Sequence, residues 1–267
     1  MWGSSDFLGG VASRRAAAFG VVLVVQSGGA VLALALALAS GEGIGAPGTW
    51  AMPAIAGMGA GIGLLALYHG LAVGRMGIVA PVAGLLAAAL PVIVGSVRDG
   101  IPGPLLVAGI ALALLAVVVV SRVAGDVGQR SGLEFGILAG LGFAAFNVAV
   151  GLLPDDAAFA PLVPLKLGGA ALIMGVVIAG RRTWRIPRAV LPLALGSAVL
   201  DLSGTAFYVL ATQAGRLDVA VTLSSLYPVT TVILAALILR ERMSRPHGVG
   251  IVMAAAAIVL ISLGSGG

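Results

Sequence analysis

Apolar residues run through this chain in blocks about twenty long, and within the blocks they do not alternate with polar ones. Blocks of that length fit helices crossing a hydrocarbon core of about 30 Å; ten-residue barrel strands of alternating hydropathy do not fit. The pattern predicts nine full spans, at 17–40, 50–73, 76–97, 102–121, 132–152, 159–180, 189–212, 217–239 and 246–263. A short helix from Trp2 to about Ser13 precedes them. At about 1.5 Å per residue it falls short of a full crossing. Either the helix begins upstream, or a half-helix is kept. The links, among them GEGIGAPGT, RDGIPG, RRTWRIPR and RERMSRP, are too short to hold a soluble domain.

Composition agrees with lipid as the solvent. Hydrophobic residues make up 60% of the 267 and charged residues 9%, against about 25% charged in a soluble domain. In lipid every backbone polar group has to be paired internally, which leaves helices as the spanning element here. The chain has no cysteine, which excludes disulfides, thiolate metal sites and cysteine nucleophiles. No cleavable signal peptide is apparent, since no basic residue precedes the first apolar run. Helices rich in alanine and glycine carry interleaved small-xxx-small pairs at Gly57, Gly59, Gly61 and Gly63, and again at Gly136 and Gly140. Such pairs let helix backbones approach closely, and packing accounts for them.

The net charge of +5 sits mostly on arginines in the links. Twelve arginines fall in one alternating set of links, while the other set holds Arg98 and Arg216. That asymmetry signals membrane orientation rather than nucleic-acid binding, and it makes the arginine-rich side cytoplasmic. With ten spans, both termini would then face outward.

A constant shift of 141 residues lays one half of the chain over the other. It carries Gly74-Arg75 onto Gly215-Arg216, Leu85 onto Leu226, and Gly109-Ile110 onto Gly250-Ile251. The expected fold is an all-α integral membrane protein of ten helices in two five-helix repeats, residues 1–125 and 126–267. An odd number of helices per repeat inverts the second copy, an arrangement that puts solute sites near the midplane, where the repeats meet. The shift also pairs Asp6 with Asn147, so these two side chains would approach one another near the centre. The alternative is that Asp6 lies in a frayed terminal helix.

Charges inside spans are costly and mark function by default. They are few here: Asp6, His69, Lys166 and Asp201. Asp201, Thr205, Tyr208 and Thr212 share one helical face in mid-span. Asp201 is therefore the candidate for proton coupling, its protonation following its exposure to water; the alternative is a structural hydrogen bond. Lys166, two turns into its span, is expected to snorkel to the interface, with an ion pair to Asp201 or Asp6 as the sharper reading. His69, beside Tyr68, is either a titrating group or a packed histidine. In SSLYP (224–228), Pro228 frees a carbonyl one turn earlier, next to Ser224, Ser225 and Tyr227. That notch either lines a cavity or kinks a helix.

The opening WGSSDF and the run GRLDVAVTLSSLYPVTTVILAALILRERMSRPHGVGIVM resemble the EamA-type transporters of the drug/metabolite superfamily. The resemblance covers nearly the whole chain, with RER (240–242) where GER is more usual. It implies ten helices in two inverted repeats around a central cavity, termini in the cytoplasm, and export or exchange of amino acids, metabolites or drugs. It adds Trp2 and Ser4 to the candidate cavity. The expected function is a secondary transporter in the cytoplasmic or inner membrane, moving a small molecule by alternating access without a cofactor or nucleic-acid partner. A flippase for lipid-linked substrates would use a similar fold. An intramembrane enzyme would need a nucleophile or metal motif, and neither HExxH nor GxSxG is present. A cavity carrying these groups would favour zwitterions or cations over anions, unless Lys166 faces it.

Overall fold

The computed structural model describes residues 1–44, 46–99, 103–123, 131–150, 157–213, 227–240 and 245–265. Those residues form ten α-helices. They are α1 (Trp2–Ser13), α2 (Ala18–Ala39), α3 (Ala51–Val73), α4 (Met76–Asp99) and α5 (Pro104–Val123), followed by α6 (Leu133–Val150), α7 (Leu162–Ala179), α8 (Leu191–Gln213), α9 (Tyr227–Ile238) and α10 (Arg245–Ser265). Every predicted span has a helix within it, with ends that agree to within a few residues except before Tyr227, where the predicted start lies outside the described residues. Four helices, α2, α3, α7 and α8, are long and apolar enough to cross a membrane by themselves. Five others carry shorter apolar stretches.

Small residues set how closely these helices approach. Gly57 and Gly61 face α7, against the Leu165 carbonyl and the Cα of Gly169. Gly59 and Gly63 face α6, against the Gly142 carbonyl and the Phe143 ring. The two interleaved pairs on α3 thus serve two different neighbours, which is the packing expected of them. Gly136 and Gly140 on α6 turn to α4, where a side chain would meet Val82 and Leu86. Helix α1 is short but not frayed. It packs on α8, α3, α9 and α2, and eight of its twelve residues are buried, Asp6 among them.

The links gather at two ends. At one end, Arg14 Nε donates to the Leu71 carbonyl across 3.2 Å, and the Arg75 amide donates to the Ser131 carbonyl across 3.3 Å. Gly20, in the first turn of α2, sits against the Trp184 carbonyl. The links after α1, α3 and α7 therefore share this end with the segment leading into α6, and they bring their arginines together. At the opposite end Glu42 accepts from the amides of Ala158, Phe159 and Ala160, at 3.2, 2.8 and 2.8 Å. These amides precede α7, where a carboxylate satisfies unpaired donors and complements the helix dipole. Helices α5 and α10 pack together with α4 in a separate apolar cluster.

A leucine at Gly57 would overlap the Leu165 backbone. Gly57→Leu is expected to cost about 1–3 kcal/mol through overpacking, read as a lowered Tm in detergent. Gly175 faces open space, and Gly175→Leu should stay within about 0.5 kcal/mol of the parent.

Candidate functional site

Eight of the ten helices contribute to one cavity, and only α5 and α10 stand apart from it. Its empty volume is about 640 Å³, counting the open mouth. Trp2 and Asp6 enter from α1, Gln26 from α2, Ala60 and Leu64 from α3, and Ala87 from α4. The rest of the wall is Phe143, Phe146 and Asn147 from α6, Leu165 and Lys166 from α7, Asp201 and Thr205 from α8, and Tyr227 from α9.

Lys166 is buried at 4% exposure, and its Nζ forms an ion pair with Asp201 Oδ2 inside the bundle. The snorkelling expected of Lys166 is therefore corrected. The side chain has no route along lipid to the interface, because its methylene stem lies against Gly29 of α2. Removing either charge would strand the other away from water, which costs more than the pair gains.

Trp2 forms the next layer. Its Nε1 donates to the Asp201 backbone carbonyl at 3.2 Å and lies 3.3 Å from Thr205 Oγ1. Thr205 Oγ1 donates to the same carbonyl at 3.0 Å, one turn back. Gly204 opens the space for the indole, since a Cβ there would lie 2.6 Å from the ring. The indole stands edge-on to Tyr227, with centroids 6.1 Å apart, and tilted against Tyr208 at 5.6 Å. Thr231 of α9 fixes the start of α1 by donating to the Gly3 carbonyl at 3.0 Å.

Two polar groups on the cavity wall are left over. Asp6 is 5% exposed, and its Oδ2 meets no hydrogen-bond donor among the described residues. Gln26 is 1% exposed, and both ends of its amide are likewise without a partner there. It presses on Gly169, where any side chain would displace it. Buried polar groups are paired as a rule, so these two exceptions call for an explanation. Below the cavity the polar atoms are paired. Tyr68 OH and Ser197 Oγ lie 2.7 Å apart, Ser5 Oγ and Ser197 Oγ 2.9 Å apart, and Ser197 Oγ donates to the Ser5 carbonyl at 3.0 Å.

A model of the EamA-like transporter family matches residues 130–263. The chain belongs to the EamA-like transporter family. It is thereby a multi-pass membrane protein of the drug/metabolite superfamily. The match spans α6 to α10, so Asn147, Lys166, Asp201, Thr205 and Tyr227 fall within it, while Trp2, Asp6 and Gln26 lie outside. An uncharacterized protein of Methanocaldococcus jannaschii is 36% identical over 74 residues, which are 28% of this chain and 54% of that protein. The chain spans about half the length of this curated relative. A solved crystal structure superposes with a TM-score of 0.61 over 97% of this chain and 98% of its own, at 21% identity. At that identity the likeness shows the fold alone.

Of the expected site residues in this family member, Trp2, Asp6, Asn147, Asp201, Thr205 and Tyr227 meet at the cavity. Asn147 is tied to α4 by Nδ2 donating to the Ala87 carbonyl at 3.0 Å. Tyr208 reaches the site through Trp2, and Tyr68 lies beneath it in the serine cluster. Three expectations are corrected. Ser4 is off the wall, because the turn of α1 aims Ser5 inward instead. His69 is exposed on the outer face of α3, edge-on to Phe135 at 4.7 Å. Pro228 packs on Gly84 of α4 and does not reach the wall. Ser224 and Ser225 lie outside the described residues, as does the side chain of Thr212. Gln26 and Lys166 were not among the expected cavity residues. For Lys166 the only signal was the ion pair weighed as its sharper alternative; for Gln26 it was a lone amide in an apolar run.

Lys166→Met should lower stability by about 3–5 kcal/mol, because it leaves the Asp201 carboxylate unpaired. Adding Asp201→Asn should recover most of that loss in unfolding experiments in detergent. A double variant as unstable as the single one would mean that the two charges do not depend on each other.

Proposed function

We propose that this protein is a secondary transporter that exports or exchanges a small molecule by alternating access. The carrying observation is a cavity walled by both halves of the chain, with an ion pair whose lysine is buried and two unpartnered polar groups on its wall. A structural core has no use for leftover donors and acceptors, whereas a solute site does.

The packing supports residues 1–125 and 126–267 as inverted repeats. Exchanging each helix with the one five places on turns the α1–α8 contact into α6–α3, the α1–α9 contact into α6–α4, and the α2–α8 contact into α7–α3. All of these contacts occur. Helix α1 ends, and α6 begins, at the arginine-rich end. The two helices that the 141-residue shift equates therefore run in opposite directions, as inversion requires. Rocking one repeat against the other would open the cavity to each side in turn. We place the arginine-rich end in the cytoplasm of a cell whose cytoplasmic or inner membrane holds the protein.

Coupling to protons runs through Asp201 in this reading.

The test is flux into liposomes that enclose a pH dye, with amino acids and aromatic amines offered in turn. A solute-dependent pH change in the parent that disappears in Asp201→Asn is expected. Equal changes in both proteins would remove Asp201 from coupling. Absence of flux for every solute, from protein shown to be folded, would count against transport.

A further inference from the structure

The cavity's charges do not balance. Two carboxyl groups and one amine line it among the described residues: Asp6, Asp201 and Lys166. Lys166 and Asp201 satisfy one another, which leaves the Asp6 carboxylate with a bare, buried Oδ2. No other cationic side chain is on the wall among the described residues. Whatever occupies this space therefore meets one carboxyl group that no side chain on the wall compensates, and a cation there would hold it in its ionised form.

The walls add a second constraint. Aromatic residues are 5% of the chain, yet Trp2, Phe143, Phe146 and Tyr227 all face this space. The repeat positions that carry Asp201 and Thr205 on α8 carry Ala60 and Leu64 on α3. The polar groups that α8 brings to the wall thus have apolar counterparts on α3. A carboxylate beside π-faces is the chemistry that holds organic ammonium ions.

We propose that the cavity takes an organic monocation with an aromatic or apolar body, that Asp6 is its counter-ion, and that Lys166 sets the accepted charge at one by occupying Asp201 as a tethered internal cation. The inference rests on the reading of this cavity as the solute site. Asp6 faces the ammonium, and the rings with Ala60 and Leu64 hold the body. The unpartnered Gln26 amide is left for a hydroxyl or carbonyl on the solute. An anionic or zwitterionic solute is disfavoured, because its carboxylate would have to draw Lys166 away from Asp201 while facing Asp6 as well. Lys166 on the wall thus does not make this an anion site, since its charge is already used.

Calorimetric binding in detergent tests the proposal with three probes of one shape: phenethylamine (cation), phenethyl alcohol (neutral) and L-phenylalanine (zwitterion). The amine should bind the parent about tenfold or more tighter than either of the others, the worth of one charge-assisted contact. Asp6→Asn should remove that preference, in protein shown to be folded by its helical circular dichroism. In Lys166→Met the freed Asp201 should accept a second cation. The dication 1,4-bis(aminomethyl)benzene should then gain about tenfold in affinity and restore thermal stability, while Lys166→Met/Asp201→Asn shows neither effect.

Unchanged amine binding in Asp6→Asn would overturn the proposal, as would failure of all three probes to bind the parent. L-phenylalanine binding as tightly as the amine and weakening in Lys166→Met would overturn it too, by making Lys166 a carboxylate ligand. These readouts need no transport. Cation binding without flux would sink the transporter reading alone, and flux of other solutes without cation binding would sink this one alone.

Discussion

A bare ammonium inside a bundle of apolar helices is costly unless a carboxylate meets it. Lys166 and Asp201 stand there together, and the arrangement around the cavity follows from their pairing. The pair ties α7 to α8 in mid-bundle. The Asp201 carbonyl then takes the Trp2 indole, which attaches α1 to α8, and Trp2 sets the aromatic edge against Tyr208 and Tyr227. Because Asp201 is satisfied, the Asp6 carboxyl meets no cationic side chain on the cavity wall among the described residues. The chemistry of the site is defined by what that pair leaves over.

Such an arrangement needs helices closer together than bulky side chains permit. Glycine supplies that closeness, and it does so next to the functional groups. Gly29 takes the stem of Lys166, Gly169 the amide of Gln26, Gly204 the ring of Trp2, and Gly9 the ring of Tyr68. In lipid there is no hydrophobic force between helices, so packing and internal hydrogen bonds have to hold the bundle together. The same small residues hold the bundle and shape its cavity.

Much of this was legible in the sequence. Span length and the absence of alternation gave helix positions to within a few residues, because lipid leaves the backbone no other choice. The 141-residue shift equates Asp6 with Asn147, and both line the cavity. Other features were out of reach for a physical reason. In a helix that is apolar all round, the pattern does not say which way a residue points. Lys166 was read toward the interface and Ser4 inward, and each was reversed by a rotation that only neighbouring helices decide. His69 looked functional by chemical type and lies on an outer face. Gln26 is a neutral amide without the charge penalty that marks a residue in a span as functional, although an unpaired buried amide is nearly as informative.

The central claim is that this cavity opens to each side of the membrane in turn. The chain has no cysteine, so single cysteines can be placed without first clearing a background. Ala60→Cys on α3 and Asn147→Cys on α6 both lie on the wall. A membrane-impermeant thiol reagent applied separately to each face of oriented vesicles should label each cysteine from either face. Labelling confined to one face under all conditions, or absent from both, would contradict alternating access.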